Sequence, residues 1–108
     1  MSGIIPAVIG ELYHLNKRRS LEEAVFKVWG NCGKCKTRIE KSVRVVGVRK
    51  AIWNMDTKSL TVKFNPKIIS LEKIHELIAE AGHDTEELYA HKKAFQSLPK
   101  CCKYTRDK

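Results

Sequence analysis

The sequence has no long apolar run. Nothing in its 108 residues approaches the ~20 consecutive apolar positions that a membrane-spanning helix needs, so no membrane span is expected. Glycine and proline are scarce, six and three. With 43% hydrophobic and 31% charged residues, the composition is that of an ordinary globular domain, near the size at which one core becomes self-sufficient. There is no low-complexity segment and no close internal repeat. The N-terminus makes a poor export signal: the apolar stretch Ile4–Ile9 is short and broken by Pro6, no basic residue precedes it, and Lys17-Arg18-Arg19 follow it. The chain therefore reads as cytoplasmic.

What the sequence does have is positive charge and cysteine. The net charge of +9 is spread unevenly. Residues 1–23 hold three bases and three acids, residues 24–90 twelve and eight, and residues 91–108 six and one. Such a tail could touch nucleic acid or an acidic partner, but the plainer expectation is a solvated, mobile segment. Four cysteines in so small a domain suggest disulfides in an exported protein, and metal ligands or redox groups in a cytoplasmic one.

Three segments follow: an extension (1–23), a patterned domain (24–90) and the basic tail (91–108). The extension lacks sustained periodicity, although Leu12–Ala24 could be partly helical. Ala24–Trp29 is β-branched and aromatic, which predicts a strand with Phe26 and Val28 on one face. From Gly33 to about Val46, Cys35, Ile39, Val43 and Val46 recur at helical spacing, and Gly47 ends the helix. Val48–Met55 alternates with Ala51 and Trp53 inward, Asp56-Thr57-Lys58 makes a turn, and Leu60, Val62 and Phe64 alternate again. Ser70 caps a second helix whose inward stripe is Leu71, Ile74, Ile78 and Ala81. A short fourth strand is expected between Asp84 and Tyr89.

The order is β-α-β-β-α-β. It predicts an α+β fold of the ferredoxin-like kind, a four-stranded antiparallel sheet with two helices on one face. RNA-binding modules share that order, but their aromatic stacking motif is missing. Strand three reads SLTVKF, and nucleic acid is not expected as a partner.

Cys32 and Cys35 form a CxxC at the mouth of the first helix. Three chemistries use such a pair. Thiol–disulfide exchange would rest on a thiolate stabilised at a helix N-terminus. It suits a fold with a β-α unit ahead of a central apolar strand, and here strand one alternates and the next two strands join by a tight turn. A closed zinc site needs four ligands, and the only other pair, Cys101-Cys102, is adjacent and distant in sequence. The remaining reading is an exposed two-thiolate site for a soft ion, Cu(I) first, with Zn(II), Cd(II) and Hg(II) as alternatives. Two sulfurs satisfy such an ion while leaving room for a third from a partner. Lys34 and Lys36 are placed to offset the charge of a dithiolate.

Residues 24–90 resemble the heavy-metal-associated domains of copper chaperones, metal-transporting ATPase N-termini and mercury-binding proteins. The resemblance rests on Gly30-Asn31-Cys32-Gly33-Lys34-Cys35, Ile39-Glu40, Gly47-Val48, Leu71-Glu72-Lys73-Ile74 and Ala81-Gly82-His83. It implies a non-enzymatic, monomeric binder with Cys32 and Cys35 as metal ligands. It also implies an acidic-faced metal-transporting ATPase or other metal-accepting protein as partner, docked on the face bearing Lys34, Arg38 and Lys41. Copper-trafficking members read Gly-Met-x-Cys-x-x-Cys. Here the methionine is absent and the glycine lies one residue nearer the first cysteine, so the loop should fold differently. The GHDTE stretch and the ending Leu98–Tyr104 resemble small stand-alone bacterial members, which are often exported, making the periplasm or cell envelope the alternative compartment.

His83 is a candidate third ligand or hydrogen-bond donor beside the metal loop; otherwise it is a polar residue past a helix end. His14, His75 and His91 read as solvent residues. The tail is expected to leave Cys101 and Cys102 free. The alternative is a return to the metal loop: residues 91–98 cover ~12 Å as a helix or ~26 Å extended, against a fourth strand of ~17 Å.

Overall fold

A computed structural model of the chain describes residues 21–105. The readings of His14 and of a helical stretch from Leu12 lie outside them up to Ser20. The elements are β1 (Glu22–Lys27), α1 (Gly33–Ser42), β2 (Val48–Trp53), β3 (Ser59–Phe64), α2 (Leu71–Glu80), α3 (Lys92–Gln96) and a 3-10 turn at Lys100–Cys102. The sheet runs β1-β3-β2, with both pairings antiparallel. β1 starts earlier than the apolar pattern suggests because Glu22 and Glu23 pair through their backbones with Phe64 and Lys63.

Alternation sorts the two faces of the sheet. Phe26, Val28, Trp53, Leu60, Val62 and Phe64 point into one core with Cys35, Ile39 and Val43 of the α1 segment and Ile74 and Ile78 of α2. Val25 and Ile52 lie on the opposite, exposed face. The turn between β2 and β3 is set by Asn54, whose Oδ1 accepts from the N–H groups of Asp56 (2.8 Å) and Thr57 (2.9 Å).

Among the described residues the sheet has three strands, where four were expected. The fourth is reduced to one bridge, Val28 to Thr85. The cause is Thr85, which folds the chain back on itself. Its N–H donates to Leu88 O (2.8 Å), and its Oγ1 accepts from the N–H groups of Glu87 and Leu88.

Three smaller expectations also change. α1 ends at Ser42, whose hydroxyl donates to Ile39 O (2.7 Å), the carbonyl a continuing helix would offer to the Val43 N–H. Val46 is consequently 82% exposed instead of inward. On α2 the inward stripe is Ile74, His75, Ile78 and Ala79, and Leu71 faces out. Ser70 caps that helix as expected, accepting from Lys73 N at 3.0 Å.

The segment after Tyr89 is folded onto the domain. Leu98, Cys102 and Tyr104 are buried in the common core, and Phe95 packs against it. Gly82, at φ +107°, lets the chain turn under this segment; a side chain there would meet the Ala94 carbonyl oxygen at 2.9 Å.

Candidate metal centre

The site is built on the end of β1 and the start of α1. Past Val28 the chain crosses the ring of Trp53, whose Nε1 donates to Val28 O at 3.0 Å. Gly30 lies so close that an added Cβ would sit 3.1 Å from two Trp53 ring carbons and 3.2 Å from Cys35 Cβ. The loop therefore turns tightly enough to bring Cys32 to the N-cap of α1, with extended backbone (φ −136°, ψ −177°), and Cys35 into the first turn. Residues three apart in a helix share a face, so both thiols turn the same way.

Their sulfurs are 3.9 Å apart. A third sulfur joins them: Cys102 Sγ lies 3.8 Å from Cys32 Sγ, and all three fall within 4.8 Å of one another. The tail, expected to be mobile, takes the alternative course and returns to the CxxC loop, with all four cysteines still free thiols. Cys35 and Cys102 are buried, Cys32 is half-buried, and Cys101 is exposed. Cys101 contributes its carbonyl, which accepts from the Cys32 thiol at 3.5 Å, while Cys102 O accepts from Cys35 at 3.9 Å.

The N-terminus of α1 acts on Cys32 directly. The backbone N–H of Cys35, more than that of Lys34, points at its sulfur and, against the opposing effect of burial, lowers its pKa from 9.0 to about 7. Burial pushes the Cys102 thiol up, as does its contact with Cys35, with Arg38 pulling the other way. The Asn31 N–H donates to Cys35 Sγ at 3.3 Å.

The positive charge at the sulfurs comes from a residue assigned to another role. Lys36 is turned away: its Nζ pairs with Glu40 and donates to Trp53 O (3.0 Å), while Glu40 Oε2 accepts from Trp53 N (2.8 Å). Arg38, expected on the docking face, is half-buried and donates from Nη1 to Cys102 Sγ at 3.2 Å. Lys34 and Lys41 remain exposed, lining a shallow groove with Thr37, Arg38, Ser42 and Ala81.

His83 is fully buried and lies outside the sulfur cluster. Its Nδ1–H donates to Trp29 O at 2.9 Å, since a carbonyl only accepts, and Nε2 has no hydrogen-bond partner. Burial lowers its pKa to about 4, so it stays neutral under the loop. His75, read as a solvent residue, is buried against Phe26, with Nδ1 2.7 Å from Thr85 Oγ1. Tyr104 entered the sequence reading only as the end of the Leu98–Tyr104 stretch, without a role of its own. Its hydroxyl accepts from Asp84 N (2.7 Å) and donates to Gly82 O (2.8 Å), and its ring stacks on His83 and meets Phe95 edge-on.

Residues 25–84 match the model of the heavy-metal-associated domain. The chain belongs to that family. Similar solved structures include the Cu(I)-loaded N-terminal domain of a potential copper-translocating P-type ATPase from Bacillus subtilis. It is 33% identical, with 60% of this chain and 84% of that one covered and a TM-score of 0.57. Oxidized MerP from Ralstonia metallidurans CH34 is 25% identical, with 61% and 94% covered and a TM-score of 0.58. A copper binding domain from HMA7, a P-type ATPase, is 30% identical, with 59% and 89% covered and a TM-score of 0.57. No curated protein matches the chain. This heavy-metal-associated domain thus carries a C-terminal segment, with Cys102, that lies beyond the family match. No helix among the described residues is long and apolar enough to cross a membrane.

Proposed function

We propose that this domain binds a soft heavy-metal ion, Cu(I) in the first place, through Cys32 and Cys35, and holds it for transfer or sequestration rather than catalysis. The observation that carries the reading is the convergence of sulfur alone, three thiols within 4.8 Å of one another. Thiolates favour Cu(I) over the harder ions that carboxylates and carbonyls select; Zn(II), Cd(II) and Hg(II) are the competing cargoes. Copper-binding relatives support the same choice.

The proposed recipient is a protein with an acidic face, such as a metal-transporting ATPase, meeting the groove edged by Lys34 and Lys41. Long-range attraction of that kind speeds encounter more than it tightens the complex. The test is mass spectrometry of protein purified under reducing conditions and offered Cu(I) and Zn(II) together. One Cu(I) per chain is expected; a chain that emerges metal-free sinks the reading.

One observation favours a second reading, thiol–disulfide exchange: Cys32 combines a pKa of about 7 with a sulfur neighbour at 3.9 Å. That reading requires a reduction potential near those of cellular dithiol enzymes together with the absence of a stable metal complex.

A further inference from the structure

We propose that Cys102 is a third metal ligand, carried to the CxxC loop by the chain's own C-terminal segment, and that this clasp must open before the ion can pass to another protein. The proposal rests on the reading of Cys32 and Cys35 as ligands of a soft ion.

Distances come first. With metal–sulfur bonds of about 2.3 Å, a linear two-sulfur site needs its sulfurs about 4.6 Å apart, and a trigonal three-sulfur site about 4.0 Å. The observed separations are 3.9 Å for Cys32–Cys35 and 3.8 Å for Cys32–Cys102, with Cys35–Cys102 inside 4.8 Å. The loop is already compressed toward the three-coordinate arrangement. Among the described residues no further histidine, cysteine or carboxylate joins this group. A tetrahedral ion would need a ligand from outside, whereas a trigonal one is complete.

Placement comes second. The 3-10 turn, closed by Cys102 N to Pro99 O (2.8 Å), sends Cys102 inward and leaves Cys101 outside. Buried residues on both sides fix that choice: Leu98 sits over Gly82, and Tyr104 is hydrogen-bonded to Gly82 and Asp84. Cys102 itself has no solvent exposure. The segment is packed as a part of the domain.

Charge comes third. Three thiolates around Cu(I) carry two net negative charges, costly to hold in a buried site without compensation. The Arg38 guanidinium, donating to Cys102 Sγ, supplies one positive charge where it is needed.

The consequence concerns release. A dithiolate site leaves its third position open to an incoming thiolate; here Cys102 fills it. Transfer then runs by ligand exchange at constant oxidation state. The clasp lifts and the Cu–S bond to Cys102 breaks as the acceptor thiolate bonds to Cu(I). The freed Cys102 thiolate takes up a proton from solvent. The domain holds its ion against small competitors until something displaces the segment from Leu98 to Tyr104.

X-ray absorption on the full chain loaded with one Cu(I) tests this. Three sulfurs per copper are expected, three again in Cys101→Ser, and two at shorter distance in Cys102→Ser. Removal of Cu(I) by a small bidentate chelator should be at least tenfold faster in Cys102→Ser. Should that variant fail to fold, alkylation of the unaltered loaded chain by iodoacetamide decides instead: Cys101 should react and Cys102 should be protected. Two sulfurs in the unaltered chain, or a Cys102 alkylated with copper still bound, overturns the proposal while leaving the CxxC reading intact. A chain that takes up no Cu(I) overturns both.

Discussion

The two cysteine pairs of this domain follow different geometries. Cys32 and Cys35 lie three apart at the start of α1, so both sulfurs face one side and their placement is local. Cys101 and Cys102 adjoin in a 3-10 turn, where successive side chains diverge by about 120°, so one thiol enters the site and the other stays outside. The first pair is a site by spacing. The second yields a single ligand candidate, and only because Leu98 and Tyr104 anchor the chain on either side of it. On the proposed reading, a local motif sets where an ion binds and a distant segment sets how it is enclosed.

The sharpest break of that comparison removes the local pair. Cys32→Ser with Cys35→Ser should abolish tight metal binding in a titration with Cu(I), while far-UV circular dichroism stays native. The expectation rests on the core itself, in which Phe26, Trp53, Leu60 and Ile78 are buried apolar side chains and Cys35 is the one fully buried member of this pair. Loss of the native spectrum would make the site structural and would count against trafficking.

The second experiment loosens the distant segment without touching a sulfur. Tyr104→Phe deletes the hydroxyl that accepts from Asp84 N and donates to Gly82 O. Each such bond contributes about 1 kcal/mol net, so clasp opening should rise by roughly tenfold. The readout is the rate of Cys102 alkylation in the metal-free chain. An unchanged rate would mean that Leu98 and Phe95 hold the segment by themselves.

How much of this was legible in the sequence follows the same division between local and distant. The alternation of Leu60, Val62 and Phe64, the Ser70 cap and the CxxC at a helix mouth are short-range patterns, and each appears where its spacing put it. The fourth strand failed because the Thr85 side chain and backbone close a turn that β-propensity does not register. Val46 kept helical spacing, but Ser42 had already taken the Ile39 carbonyl. His75 carries no sequence mark of its contacts with Phe26 and Thr85, which come from other elements. Cys102 was within reach by chain length alone. What selected it over Cys101 was the pinning by Tyr104, a contact 20 residues away in sequence at Asp84.

The two pairs should also separate by pH. Cys32, lowered to about 7, is substantially thiolate at neutral pH, whereas Cys102, raised by burial, is protonated there. Metal binding at pH 7 must therefore expel the Cys102 proton and part of the Cys32 one, and affinity should fall as pH drops, more steeply below 7. The metal-free chain carries the opposite signs on its two thiols. Stability from Cys32 is full above its unfolded pKa and lost as pH falls through about 7; stability from Cys102 is full below the unfolded value and lost as pH rises through its folded one. Calorimetry in buffers of different ionisation enthalpy counts the protons. Binding without release would argue against thiolate ligation, and Cys102→Ser should lower the count.

The smallest effect belongs to the exposed lysines beside the sulfur site. Lys34 and Lys41 are exposed, and Arg38 between them is committed to Cys102, so the docking face is tested without it. Lys34→Glu with Lys41→Glu should leave Cu(I) affinity almost unchanged while slowing transfer to an acidic acceptor severalfold at low salt. The difference should fade at physiological ionic strength, where charges more than about 8 Å apart are largely screened. Because exchange also requires the clasp to open, the effect should be visible only while encounter limits the rate. Raising the acceptor concentration until clasp opening limits transfer should bring the charge-reversed and unaltered chains to the same plateau. A plateau that stays lower in the variant would place Lys34 and Lys41 in the opening step itself, through the groove they line with Arg38.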